Sequence, residues 1–311
     1  YEHVALGQEA REKVAKCRRT LDDLVSTKII YGINTGFGAL SNVTISPKDL
    51  ESLQLNLIRS HAAGVGPPLP TDVTRAMMLL RANTLAKGFS GIRLSTLETL
   101  VAMLNSRVHP IIPERGSVGA SGDLAPLAHL AMVLVGEGSA EYLGQRMSAL
   151  EALKAASIAP VRLGAKEGVA LINGTQMMTA VGALMLHDAG KLVEQGEMSG
   201  ALSFDVLQGL AEAFDRRLHE ARPHPGQMTS AEHMTRLLQG SRLVGSGEER
   251  VRRGLHRQDP YTLRCIPQVM GAARDAVAYA SRVIEVELNS ASDNPLIFPE
   301  DQAVLSGGNF H

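Results

Sequence analysis

The chain has 311 residues with 31 basic and 32 acidic side chains, a formal charge of -1, so it carries no electrostatic footprint for nucleic acid or an anionic membrane. Hydrophobic residues make up 44% and aromatics only 4%, with Trp absent; apolar content carried by Ala, Leu, Met and Gly favours close-packed helices over a β-sandwich. The best apolar run, Leu124–Val135, is too short to span a bilayer and holds Pro126 and His129, while Cys17 and Cys265, far apart in sequence, read as reduced thiols of a cytoplasmic protein.

Residues 7–27 place Val14, Cys17, Leu21, Leu24 and Val25 at helical spacing. A Gly-rich loop follows at 31–38, and Ser46-Pro47 starts a helix running to His61. Residues 64–70 are a break. Thr71 or Asp72 begins a helix through Ala86, Ser95 caps another to about Ser106, and 109–115 is a Pro-punctuated loop. Asp123 is the N-cap of a helix over 124–135. Residues 141–146 read as a short hairpin and 148–156 as a short helix. Helical spacing returns over 167–192, 200–218 and 230–239, and 241–257 reads as an exposed polar loop. Pro267 opens the longest helical pattern, which runs to about Asn289 and ends before Asp293-Asn294-Pro295. These elements predict a mainly α protein with a small β element near 140–147 and two regions, 1–165 and 166–311. Apolar stripes on more than one side of the long helices predict subunit contacts. The chain lacks an initiator Met and ends without a helix stop signal, so both ends read as cuts.

The chemistry concentrates at Gly116-Ser117-Val118-Gly119-Ala120-Ser121-Gly122-Asp123-Leu124-Ala125-Pro126. Three small residues, Ala120-Ser121-Gly122, leave the backbone room to fold back on itself. The Gly122 nitrogen could then close a five-membered ring on the Ala120 carbonyl carbon. Loss of the ring hydroxyl and the Ser121 hydroxyl as two waters would leave a conjugated methylidene, an electrophile that no ordinary side chain provides. A helix N-terminus beside that ring would draw electron density from it. A phosphate loop would share the geometry, but the Gly-Lys-Ser/Thr ending is missing.

With its flanks, this segment resembles the reactive loop of the methylidene-imidazolone (MIO) ammonia-lyases. The string Tyr31-Gly32-Ile33-Asn34-Thr35-Gly36-Phe37-Gly38 has the wrong spacing for a dinucleotide fingerprint and resembles the same family. The resemblance implies a long-helix bundle of the fumarase/aspartase-like type, an MIO formed autocatalytically from Ala120, Ser121 and Gly122, and no dissociable cofactor or metal. It implies Tyr31 as the base; a phenol that ionises near ~10 in isolation needs positive charge nearby for that work.

On the same basis Asn173, in Leu171-Ile172-Asn173-Gly174-Thr175-Gln176, bonds near the ring, although by itself it reads as a helix N-cap. Arg264 clamps the substrate carboxylate with its planar fork. Tyr261 lines the electrophile with support from Gln258 and Gln268, and Phe310 lies near the ring. Ser60-His61 resembles the pair of the histidine-acting branch, which implies ammonia elimination from L-histidine. A phenylalanine or tyrosine ammonia-lyase or aminomutase, and a catalytically inactive helical subunit with an uncyclised loop, are the alternatives. The resemblance also implies a homotetramer with shared active sites, in which Arg264, Tyr261 and Phe310 serve a neighbour. His219, His224, His233 and His256 lie in polar stretches and read as surface residues.

Overall fold

The computed structural model describes residues 2–27, 29–30, 33–35, 45–46 and 49–311. Helices dominate. The first half carries α1 (Gln8–Thr27), α2 (Leu50–His61), α3 (Thr71–Ala86), α4 (Leu94–Asn105), α5 (Leu124–Leu134), α6 (Ala149–Ala155) and α7 (Glu167–Ile172). The second half carries α8 (Gln176–Val206), α9 (Arg216–Glu220), α10 (Pro225–Leu237), α11 (Gly247–Arg252), α12 (Tyr261–Arg264) and α13 (Ile266–Leu288).

The sheets are small and antiparallel. Strand β1 (Val65–Pro68) pairs β3 (Pro113–Arg115), so two segments expected as break and loop are joined. Their prolines do not prevent this, because a two-stranded ribbon leaves one edge of each strand unpaired. A second sheet has the order β2 (Val108–Pro110), β4 (Ser139–Tyr142), β5 (Gln145–Ser148). The hairpin expected at 141–146 is its β4–β5 turn, where Leu143 and Gly144 both take positive φ, as a two-residue type I′ turn requires. Near the end, β6 (Leu296–Phe298) pairs β7 (Ala303–Leu305).

The chain divides into two compact units, one of residues 1–181 and 286–311 and the other of residues 182–285. The expected division at 165/166 instead falls inside the first unit, because α7 packs against α2 and α5. That unit's main core runs from Val14 and Ile58 through Met77, Leu97, Leu127 and Leu171. Lys166, immediately before α7, is fully buried and bonds Asp293 at 2.8 Å, tying the returning segment to the unit. In the second unit α8 and α13 run antiparallel in close contact. A Cβ on Gly182, Gly196 or Gly200 would meet Ile284, Met270 or Ile266 respectively.

Three expectations give way to the structure. The helix predicted over 167–192 is broken at 173–175, where Asn173 is extended and Gly174 has a φ of +150°; α8 then continues without a stop to Val206. The segment 200–218 is therefore the end of α8, a 3-10 turn at Ala211–Phe214 and α9. Within 241–257 lies α11, whose Arg250 is buried and paired with Asp259. Pro47, expected at the start of α2, lies outside the described residues, and Ser46 Oγ donates to Asp49 beside the first turn at 2.7 Å.

Candidate active site

Residues 119–123 form a loop that turns back on itself. Gly122 bridges to both Gly119 and Ala120. It has a φ of +75°, and a Cβ there would lie 2.2 Å from the carbonyl oxygen of Gly174. No residue with a side chain fits that gap. The wall facing the loop is the 173–175 turn between α7 and α8, bonded to it at two points. Asn173 Nδ2 donates to the Ser121 carbonyl at 2.8 Å and stands 3.4 Å from Ser121 Oγ. The Asp123 N–H donates to the Gly174 carbonyl at 2.7 Å. Asn173 thus terminates α7 rather than capping the start of α8.

Asp123 precedes α5 as expected but makes no side-chain cap to it. Its carboxylate accepts from Ser117 Oγ at 2.7 Å and from the Met178 N–H at 2.9 Å. It therefore satisfies an orphan donor of α8, not of its own helix. Burial pushes the Asp123 carboxyl above the usual carboxylate range, against the lowering effect of the Met178 and Ser117 bonds.

His61 ends α2 half-buried. Its Nδ1 is 2.8 Å from the Leu57 carbonyl. A carbonyl only accepts, so Nδ1 is the donor in this bond, which leaves Nε2 outside it. Just beyond, the Gly64 N–H donates to Nε2 of His129 on α5 at 3.1 Å, linking the His61 segment to the helix that follows the small-residue loop.

In the other unit, Gln258, Arg264 and Gln268 line a cavity of about 360 Å³. Arg264 Nε and Gln268 Oε1 are buried with no partner among the described residues, polar capacity that a bound ligand could use. Arg264 Cζ stands 4.4 Å from the Tyr261 ring centroid, a cation–π contact, and Tyr261 itself is exposed. Phe310, in the first unit, is half-buried against His311. Tyr31 lies outside the described residues. The loop and Asn173 are thus brought together, and Tyr261 and Arg264 are brought together, within separate units.

Two of the four histidines expected at the surface are not there. His219 is buried between Gln227 and the Ala213 carbonyl, and His233 pairs with the buried Glu197. A more telling omission is Arg81, fully buried on α3 behind the 173–175 turn. Its signal was legible: it shares a helical face with Met77, Met78, Ala82 and Leu85, all buried.

The aromatic amino acid lyase family matches the chain over residues 1–311. The chain belongs to that family. It is 55% identical to histidine ammonia-lyase of Alkaliphilus oremlandii over 310 residues, covering 99% of this chain and 60% of that protein. Among solved structures it resembles Pantoea agglomerans phenylalanine aminomutase, with a TM-score of 0.96 and 34% identity over 100% of this chain and 62% of that one. Trypanosoma cruzi histidine ammonia-lyase follows at a TM-score of 0.89 and 39% identity, covering 99% and 57%. The chain spans about three fifths of the length of the curated relatives it matches. The helical architecture is that of the family.

Members of this family are the MIO-dependent lyases, and the residues present fit the ring. The loop holds its three small residues back on one another, and an amide donor is already seated on the Ser121 carbonyl that would become the ring carbonyl.

Proposed function

We propose that the chain forms an MIO from Ala120-Ser121-Gly122 and is the main part of a histidine ammonia-lyase converting L-histidine into trans-urocanate and ammonia. The observation that carries this reading is the Asn173 amide on the Ser121 carbonyl, 2.8 Å away. Ring formation joins the Gly122 nitrogen to the Ala120 carbonyl carbon and expels two waters, the second carrying the Ser121 hydroxyl. Once formed, the ring supplies an electrophile that the ordinary side chains lack. A donor on the conjugated carbonyl favours negative charge there and so strengthens that electrophile.

The remaining roles follow from side-chain chemistry. Arg264, whose Nε has no partner among the described residues, binds the substrate carboxylate, and Tyr261 and Gln258 border that position. His61 offers Nε2 as an acceptor to the substrate imidazole N–H. Tyr31 removes the β-proton as the Cα–N bond breaks, leaving the double bond and releasing ammonia. Phe310 contributes apolar contact. The names of the relatives at 51–55% identity support histidine as the substrate. Apolar side chains exposed along α8 and α13 support a homo-oligomer, read as a homotetramer with shared active sites.

Intact mass and product absorbance on one sample test the reading. The expected result is a chain two waters lighter than its sequence, with urocanate accumulating from L-histidine. A chain at its unmodified mass overturns ring formation, and cinnamate or coumarate as the product in place of urocanate overturns the histidine assignment. Ser121→Ala, which removes the leaving hydroxyl, abolishes turnover while helical content stays.

A further inference from the structure

Arg81 is one of the largest fully buried side chains of the chain. Its two bonds go to backbone carbonyls and not to a carboxylate: Nη1 donates to Ala170 at 3.0 Å and Nη2 to Asn173 at 2.5 Å. Both carbonyls belong to the C-terminal end of α7, where four carbonyls lack intrahelical partners and the helix dipole favours a cation. Burial pushes Arg81 down to about 10, with Asp293 and Asp123 opposing that shift, so the guanidinium stays charged at neutral pH.

Its position decides more than the end of a helix. The 173–175 turn is pressed between Arg81 and the small-residue loop. A Cβ on Gly174 would lie 2.7 Å from Arg81 Nη2. On its other side the same turn gives the Asn173 amide to Ser121 and the Gly174 carbonyl to the Asp123 N–H. We propose that Arg81 is a positioning residue for ring closure: it braces the 173–175 turn from behind, and the turn holds Ala120-Ser121-Gly122 in the folded-back geometry from which the Gly122 nitrogen reaches the Ala120 carbonyl carbon. This rests on the MIO reading above and extends it to a residue on a different helix that touches none of the reacting atoms. Without the guanidinium the two carbonyls lose their donors and a void opens behind the turn. Intramolecular attack is sensitive to such slack, and a misplacement of about 1 Å costs on the order of 100-fold in rate.

The test follows intact mass over time after synthesis, alongside thermal unfolding, in wild type, Arg81→Met, Arg81→Lys and Thr84→Val. Thr84 belongs to the same buried layer, bonding Gln176 and the Ser290 carbonyl, but does not contact the turn's carbonyls. Wild type and Thr84→Val are expected to lose two waters at the same pace, even where Thr84→Val melts lower. Folded Arg81→Met is expected to stay largely at unmodified mass, with loss of water slowed on the order of 100-fold. Arg81→Lys, which keeps the charge but not the two-point fork, is expected to fall between, and it is the deciding variant if Arg81→Met does not fold. Arg81 variants that dehydrate at the wild-type pace overturn this inference alone. A wild-type chain at unmodified mass overturns the functional reading and this inference with it.

Discussion

His129 illustrates how single side chains here act on segments remote in sequence. Its Nε2 accepts the Gly64 N–H, a bond that exists only while that nitrogen is unprotonated. Burial holds the imidazole below its usual range. In the unfolded chain it takes up a proton near ~6.5, whereas the folded protein delays this to lower pH. Between the two values the unfolded state binds more protons, so stability falls as pH drops from about 6.5 towards the folded value and levels off below it. His129→Phe is expected to remove that part of the pH dependence. Urea midpoints of the two proteins, compared from pH 7.5 down to 5, check it; identical slopes sink the assignment. Asp123 makes the parallel point, since its residue type predicted a cap for α5 and its carboxylate instead serves the Met178 N–H. No sequence spacing carries a bond between residues 55 apart.

Elements whose ends are set locally were legible. Ser148 and Glu151 form a reciprocal capping box at the start of α6, the pattern that a Ser three residues before a Glu announces. Ser148→Ala is expected to cost about 0.5–2 kcal/mol, read from chemical denaturation with the loop chemistry unchanged. α1, α3, α4, α5 and α13 likewise follow their apolar periodicity. Between α7 and α8 the sequence offered two readings, continuous helical spacing over 167–192 and an N-cap at Asn173, and neither is the observed break, in which Asn173 ends α7. What interrupts the helix is non-local: Arg81 takes the Ala170 and Asn173 carbonyls, and Asp123 takes the Gly174 carbonyl and the Met178 N–H. Four bonds from two other segments override a continuous propensity.

At the scale of the molecule, the second unit has a small core around Phe204, Phe214 and Met234, while its longest helix leaves apolar side chains outside. Leu192 and Leu202 on α8 are 68% and 72% exposed, and Met185 and Met198 join them. Several exposed apolar side chains on one helix are characteristic of an interface, proposed above as one between copies of the chain. Leu192→Glu with Leu202→Glu is expected to lower the mass found by sedimentation to that of a smaller assembly or monomer. An unchanged oligomer, or a wild type already monomeric, removes this reading of the face.

Composition and apolar periodicity were sufficient to place the chain among mainly helical proteins, because helix periodicity depends on near neighbours, and the motif around Ala120-Ser121-Gly122 pointed to the family by resemblance. The same resemblance named Asn173, Arg264 and His61 as candidate site residues. Folding alone determined that Asn173 meets the Ser121 carbonyl, that Arg81 stands behind it, and that Asp123 turns away from its own helix. Those contacts join residues 52 to 92 positions apart, and each exists because a buried donor or acceptor takes whatever partner the packed interior brings within reach. The tripeptide proposed to cyclise is therefore written in the chain, while the contacts that surround it and the turn facing it come from α3, α7 and α8.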